Sequence, residues 1–328
     1  MMNQKNLKIQ SPKNEYETYH INTRKARVIQ NIKKDFKANR ELYYISFIII
    51  AYYLIFCYKP MLGAVIAFKD YVPMKGIWKS QWVGFKYFRD FFQSPYFVRL
   101  IRNTIWLSLN SLIFGFPAPI ILALLINEIG NKFFKRSIQT ITYLPHFISM
   151  VVICGIIKDF TSDTGVINYF ISALGGKPVT MLSVPKLFMP VYVISGIWQE
   201  VGWGSIIYLA ALTGIDPQLY EASYMDGANR WKQTIYITLP GIAPTIIILF
   251  ILRMGSLLNV GFEKILLLYN PGIYETADVI STYVYRKGLL EFNWGFSTAV
   301  GLLNSVINFF FLIAANTISR KVNDTSLW

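Results

Sequence analysis

Few side chains in this sequence are of types that make or break bonds. There are two histidines, His20 and His146, far apart in the chain, and two cysteines. Cys57 and Cys154 sit in or beside apolar runs, where a thiol acts as a small buried hydrophobe. A Gly-x-x-x-x-Gly-Lys-Ser/Thr phosphate loop is absent. Gly175-Gly176-Lys177 lacks the upstream glycine and precedes Pro178, so it reads as a turn. No catalytic dyad or triad stands out, and no metal ligand set or cofactor is expected on this chain. The remaining candidates are polar groups set in apolar stretches. They are Trp198, Gln199, Glu200 and Trp203, then Arg253, Ser256 and Asn259, then Asn304 and Asn308. Inside a bilayer such groups are costly and mark a pathway by default. The alternative is hydrogen bonding between packed helices, with Arg253 and Glu200 pairing with each other.

The elements that must position these groups follow from composition. Of 328 residues, 54% are hydrophobic, 16% aromatic and 15% charged, with a net charge of +14. A soluble domain has about a quarter of its residues charged. Disorder is excluded by the hydrophobicity, and a disulfide scaffold by the two cysteines. The apolar residues fall in blocks, and a helix needs about 20 of them to cross a membrane. Six spans are predicted, at 42–58, 103–126, 138–157, 186–211, 241–260 and 296–316. The fourth is the most polar, because Gln199 and Glu200 lie mid-span. Period-two alternation is missing, which leaves helices as the spanning element.

Residues 1–41 form a basic tail; the first 40 contain ten Lys/Arg against three Asp/Glu. A basic flank before a first span is ordinary positive-inside chemistry and predicts a cytoplasmic N-terminus. With both termini inside, cytoplasmic segments hold seventeen Lys/Arg and external ones thirteen. The loop 59–102 alone carries eight, against the rule, so charge sets the orientation only weakly.

The stretch 212–240, LTGIDPQLYEASYMDGANRWKQTIYITLP, is too long for a bare connection and needs structure of its own. Asp216-Pro217 is a helix start, an N-cap oxygen followed by proline at the first helical position. A short helix is predicted over 218–226. Gly227 breaks it by taking a left-handed turn, and a second amphipathic piece follows over 228–236. Pro240 then opens the fifth span, where a missing N–H costs least. A protruding helix–turn–helix of this shape is suited to dock a partner.

Here the sequence resembles the permeases of bacterial ABC importers. Their cytoplasmic motif is Glu-Ala-Ala, three residues, Gly, nine residues, Ile-x-Leu-Pro. This chain has Glu221-Ala222-Ser223, Gly227 and Ile237-Thr238-Leu239-Pro240 at both spacings, with Ser223 as the departure. Asp226 before Gly227 and Trp231 after it look like the carbohydrate-uptake branch. The segments VGFKYFRDFFQSPYFVRLIRNT, FGFPAPIILALLINE, TYLPHFIS, WQEVGWGSIIYLAAL, GFEKILLLYNP and ADVISTYVYRKGL are similar to one subgroup, the polysaccharide or complex-oligosaccharide permeases of Gram-positive and related bacteria. The likeness covers residues 41–322.

The resemblance implies an all-α integral membrane protein with the type I ABC importer permease fold. Six helices over 42–320 would carry a cytoplasmic coupling helix–turn–helix, ahead of a short cytoplasmic tail at 321–328. Glu221 would contact the ATP-binding subunit, Ala222 and Ser223 would permit close approach, and Gly227 would form the turn. Asp226, Ile237, Leu239 and Pro240 complete the motif. The resemblance also implies a multi-pass protein of the bacterial cell membrane with both termini cytoplasmic. ATP and Mg would reside on two copies of a partner subunit. A second, different permease chain and an extracytoplasmic sugar-binding lipoprotein would complete the importer, with no nucleic acid partner. The expected function is alternating-access import of an oligosaccharide, without enzymatic activity in this chain. A sugar path uses aromatic faces against C–H surfaces and polar groups on hydroxyls. Trp198, Gln199, Glu200, Trp203, Arg253, Asn259 and Asn304 are its candidates. The alternatives are an ABC permease for another solute, an ATP-independent carrier or a membrane scaffold. A carrier of that kind often shows paired broken helices in two repeats, and no internal repeat is seen.

Overall fold

A computed structural model describes residues 34–36, 38–323 and 326–328. The expected basic tail lies mostly outside the described residues. The chain divides into two units, residues 1–64 and 65–328. The first holds helix α1 (Arg40–Tyr52), which continues as a wider π turn over Tyr53–Tyr58. None of these residues is buried, although nearly all are apolar. Such a surface requires lipid or protein around it.

The second unit begins with a short antiparallel hairpin, β1 (Lys69–Asp70) and β2 (Gln81–Trp82), in which Lys69 faces Trp82. Helices follow as α2 (Lys86–Phe92), α3 (Phe97–Asn127), α4 (Lys132–Phe147), α5 (Met150–Thr161) and α6 (Val166–Ala173). Then come α7 (Pro185–Leu212), α8 (Pro217–Met225), α9 (Arg230–Met254), α10 (Phe262–Leu268), α11 (Ile280–Tyr285) and α12 (Trp294–Asn323).

Among the described residues, four helical runs are long and apolar enough to cross a membrane: Arg40–Phe68, Phe97–Asn127, Arg230–Met254 and Trp294–Lys321. A fifth is possible if the bent pair α4 and α5–α6 counts as one span. Two of the six expected spans therefore differ. The third, 138–157, is not one straight helix but turns by 103° between α4 and α5. Pro145 sits in a tight 3-10 turn, and Ile148 and Ser149 are extended, which ends one helix and redirects the next. The fourth, α7, has 28 residues and ample length, yet Gln199, Glu200 and three glycines dilute its hydropathy below that of a self-evident span. It is nevertheless the axis of the bundle, packing against α3, α4 and α9. Glycines make this approach possible. A Cβ on Gly202 would collide with the Thr142 carbonyl of α4, and one on Gly204 would meet Pro119 of α3 at 3.0 Å.

The stretches 65–102 and 261–295, which lie between predicted spans, build a core with the start of α12. Tyr87, Phe91, Leu100, Ile280, Tyr283 and Phe296 pack together there. Burial, with a hydrogen bond donated to Asp70 Oδ1 (3.1 Å), pushes the Tyr87 phenol up to about 12. Beside this core lies Asp278, whose side chain is 0% exposed. Its carboxylate accepts from Arg286 (2.6 and 2.9 Å), Arg99 (3.1 Å) and Thr282 Oγ1 (2.8 Å). Asn103 Nδ2 donates to the carbonyls of Glu275 (2.8 Å) and Asp278 (2.9 Å), and Arg102 Nη2 also donates to Glu275 O (2.8 Å). The Ile280 N–H donates to Thr104 Oγ1 (3.0 Å). The sequence RLIRNT at the start of α3 is thus a row of donors and acceptors that fastens residues 275–282.

Two outcomes follow. Replacing Asp278 with Ala leaves two guanidiniums without their carboxylate and is expected to cost about 3–5 kcal/mol. It should appear as a large fall in the melting temperature of the detergent-purified protein. Gly202→Val is expected to cost about 1–3 kcal/mol by overpacking. Gly155→Ala on α5, where an added Cβ meets nothing within 4 Å, should melt close to the unsubstituted protein.

Candidate functional site

The motif-bearing stretch folds into two helices joined by a turn. Asp216 Oδ1 accepts from the Gln218 N–H (2.9 Å), capping α8, and Pro217 occupies its first turn. Gly227 ends α8 with φ +75°, a left-handed conformation that a side chain disfavours. The Ala228 N–H then donates to Ser223 O (2.9 Å), and the Gly227 N–H to Tyr224 O (3.0 Å), satisfying the helix-end carbonyls. Asn229 Oδ1 accepts from the Lys232 N–H (2.9 Å) and starts α9.

The observed α8 begins one residue earlier than expected and ends at Met225. The second piece is not separate from the next span. It runs on as α9, through a π turn over Thr234–Thr238 placed just before Pro240. A wide turn is one way a helix absorbs the disturbance made by proline.

Hydrogen bonds lock the two helices together. Gln233, 7% exposed, donates from Nε2 to Ser223 Oγ (3.0 Å), and Ser223 Oγ donates to Tyr220 O (2.9 Å). The Tyr220 hydroxyl lies 3.0 Å from Thr238 Oγ1. Ser223 therefore does more than remain small: its hydroxyl is the joint between the helices. Gln233 carried no motif signal, and only its place one helical turn, four residues, after the Asn229 cap pointed inward. Arg230 lies 3.7 Å from Glu128 at the end of α3. At the base, a Cβ on Gly241 would meet Ile215 at 2.8 Å. Ile237 and Leu239 are half-buried, whereas Pro240 is exposed.

The outer face is left open. Glu221, Ala222, Asp226 and Gly227 are exposed, as are Tyr224, Trp231 and Met225, the last at 85%. A concavity of about 1000 Å³ lies here, bordered by Glu221, Tyr224, Met225, Arg230 and Gln233. Rigid, capped and partly apolar, this face has the makings of a docking surface.

The polar candidates separate into three groups. Gln199, Glu200, Arg253 and Asn259 line one cavity of about 550 Å³ beside α7, together with Tyr192 and Lys264. Trp203 stacks face to face on His146 (4.5 Å, 2°), and His146 Nδ1 lies 3.0 Å from Glu200 Oε2. Glu200 thus pairs with His146, not with Arg253. Trp198 is exposed and lies outside the cavity lining. Asn259 Oδ1 accepts from Asn304 Nδ2 (3.0 Å) and Asn308 Nδ2 (3.2 Å), while Asn308 Oδ1 accepts from the Leu258 N–H (2.9 Å). The asparagines therefore act as interhelical ties, and of them Asn259 alone also reaches the cavity. Lys264 escaped notice in the sequence because it lies beyond the fifth span, in a stretch expected as loop. Among the described residues no three His, Cys, Asp or Glu side chains are grouped as a metal would need.

Residues 115–324 match the family described as "Binding-protein-dependent transport system inner membrane component". Protein LplB of Bacillus subtilis (strain 168) is 48% identical, over 89% of this chain and 92% of its own length. The Polygalacturonan/rhamnogalacturonan transport system permease protein YteP of the same strain is 43% identical, over 84% and 87%. Among solved structures, a chain of a bacterial alginate ABC transporter, in complex with an alginate pentasaccharide-bound periplasmic protein, is similar. Its TM-score is 0.83 at 47% identity, over 90% of this chain and 99% of that one.

The joint between α8 and α9 is testable by itself. Gln233→Ala removes a buried tie worth about 1 kcal/mol. Amide exchange over residues 217–225 should quicken about fivefold, with the transmembrane helices unchanged.

Proposed function

The chain belongs to the family of binding-protein-dependent transport system inner membrane components and has the fold of a type I ABC importer permease, and from that premise we propose that it imports an oligosaccharide. Its relatives in name handle polygalacturonan, rhamnogalacturonan and alginate, which supports a substrate derived from a polysaccharide. An extracytoplasmic binding protein delivers the sugar, as the periplasmic protein in the alginate transporter complex suggests. Six helices over 42–320 cross the membrane, α7 among them, since its 28 residues suffice for a span despite Gln199 and Glu200. Both termini and the loop between α7 and α9 face the cytoplasm, and residues 321–328 are a short cytoplasmic tail. A second permease chain, different from this one, completes the pathway.

The observation that carries the reading is the exposed, capped pair α8 and α9 at the motif positions. A docking element must be rigid to move as a lever, and here both helix starts are capped and the turn is fixed by Gly227. ATP binding and hydrolysis reside in two copies of a separate subunit, whose cleft receives α8. Glu221 makes the polar contact, with Ala222 and Ser223 close behind it, and Asp226 lies at the rim. Ile237, Leu239 and Pro240 pass the motion into α9. The cavity beside α7, with Gln199, Glu200, Arg253 and Asn259, is the proposed sugar path. Trp198 and Trp203 flank it on the same helix, and Asn304 supports it through Asn259. An ATP-independent carrier would have no use for the α8–α9 face.

The tagged protein, extracted gently from native membranes, should co-purify with an ATP-binding subunit and a second permease; recovery as a lone chain would overturn the reading. Gly227→Val should lower ATP-driven uptake about tenfold, because a β-branched residue at that φ costs about 1–2 kcal/mol. Gly227→Asn should retain most of it. A Cβ there meets nothing within 4 Å, and asparagine tolerates the left-handed region. Equal loss in both variants would point to the side chain's volume and not to the turn.

A further inference from the structure

The cavity beside α7 holds more positive charge than a neutral sugar needs. Two cations line it, Arg253 at the end of α9 and Lys264 on α10. The Lys264 side chain is only 4% exposed. Its ammonium has three donors, and one long hydrogen bond, to Tyr192 O at 3.3 Å, is formed. The Tyr192 ring adds a cation–π contact at 5.0 Å. Among the described residues, no carboxylate stands within ion-pair distance of either Lys264 or Arg253. One carboxylate, Glu200, does line the cavity, but it is engaged by His146 at 3.0 Å.

Space is left open in front of the ammonium. Gly196 on α7 has no side chain there, and a Cβ at that position would lie 3.5 Å from Lys264 Nζ. The cavity, about 550 Å³, is within the range of roughly 300–1,000 Å³ found for small-molecule sites. Phe116, Tyr192 and Tyr208 supply apolar faces to it.

A buried cation is costly unless a counter-charge meets it. Sugar hydroxyls are satisfied by neutral amides and carbonyls, and gain little from a full positive charge. A carboxylate, in contrast, pairs with a guanidinium fork and an ammonium through charge-assisted hydrogen bonds. Tyr192 alone would account for Lys264 as a structural group, but not for Arg253, which is exposed on the same lining.

We infer that Arg253 and Lys264 form a carboxylate subsite in the translocation path, and that the substrate is an oligosaccharide bearing uronic acid residues. This inference rests on the importer reading above and narrows it to an acidic substrate. During passage each uronate carboxylate is held in turn by the two cations, while Glu200, fixed on His146, limits the net charge so that the anion can leave.

The test uses the complete transporter, with its partner permease, ATP-binding subunits and binding protein, in proteoliposomes. The probes are labelled trigalacturonate and trimannuronate, their neutral methyl esters, and maltotriose. The acids should be taken up in preference to the esters. Arg253→Gln should shrink that preference about tenfold, the size expected for one charge-assisted contact. Lys264→Gln should act in the same direction. Lys264→Arg, which keeps the charge, should hold the preference within about twofold of the original. Since Lys264 is buried, co-purification of the partner permease reports whether its variants assemble; Arg253 is exposed and tests the subsite without that concern.

Uptake of neutral saccharides with an acid-to-ester ratio untouched by Arg253→Gln would overturn the subsite and leave the importer reading standing. Inhibition of uptake by glucose 6-phosphate but not by glucuronate would also overturn it, in favour of a phosphate site. No ATP-driven uptake of any probe or of other saccharides would instead remove the oligosaccharide reading itself, and the subsite with it.

Discussion

Burial of the Asp278 carboxylate is the constraint on which much of the second unit depends. A lone carboxylate in such a place would be neutralised or expelled, so Arg286, Arg99 and Thr282 must all reach it. Satisfying it fixes the start of α3 against residues 275–286. The neighbouring Asn103 and Thr104 contacts extend the seam, and the aromatic core of Tyr87, Phe91, Tyr283 and Phe296 closes beside it. The start of α12 enters that core through Phe296, Ala299 and Val300, so a polar interaction decides where apolar helices begin.

Within the bundle, polar side chains divide by what they can reach. Asn304 and Asn308 on α12 both donate to Asn259, and Asn308 also accepts from the Leu258 N–H, tying α12 to the segment after α9. With little hydrophobic drive between helices in lipid, such bonds and close glycine contacts select the packing. Gly202 and Gly204 perform the second task along α7. Gln199, Arg253 and Lys264 line a cavity instead, as does Glu200 while paired with His146. A polar residue in an apolar helix is therefore ambiguous until its neighbours are known.

The α8–α9 pair shows the opposite economy, a small element made stiff. Caps at Asp216 and Asn229, the turn at Gly227 and the Ser223–Gln233 bond leave it few ways to flex. Its exposed Tyr224 and Met225 are then a surface presented, not a loose end. Stiffness here and the small side chains of Ala222 and Ser223 both suit close packing against a partner.

By itself the sequence determined the class, helical and membrane-crossing outside one short hairpin, because run length and the lack of alternation leave no other way to satisfy a backbone in lipid. It also determined the α8 start and turn, since Asp-Pro and Gly act locally through capping and φ. Tertiary structure alone decided the partner of Glu200 and the burial of the apolar part of 261–295. It likewise decided the place of Lys264 on the cavity lining. These depend on residues distant in the chain: His146 meets Glu200 across 54 positions, and Arg99 meets Asp278 across 179. Periodicity and local propensity carry no record of which distant side chain supplies a countercharge, and in this chain that choice separates a tie between helices from a site.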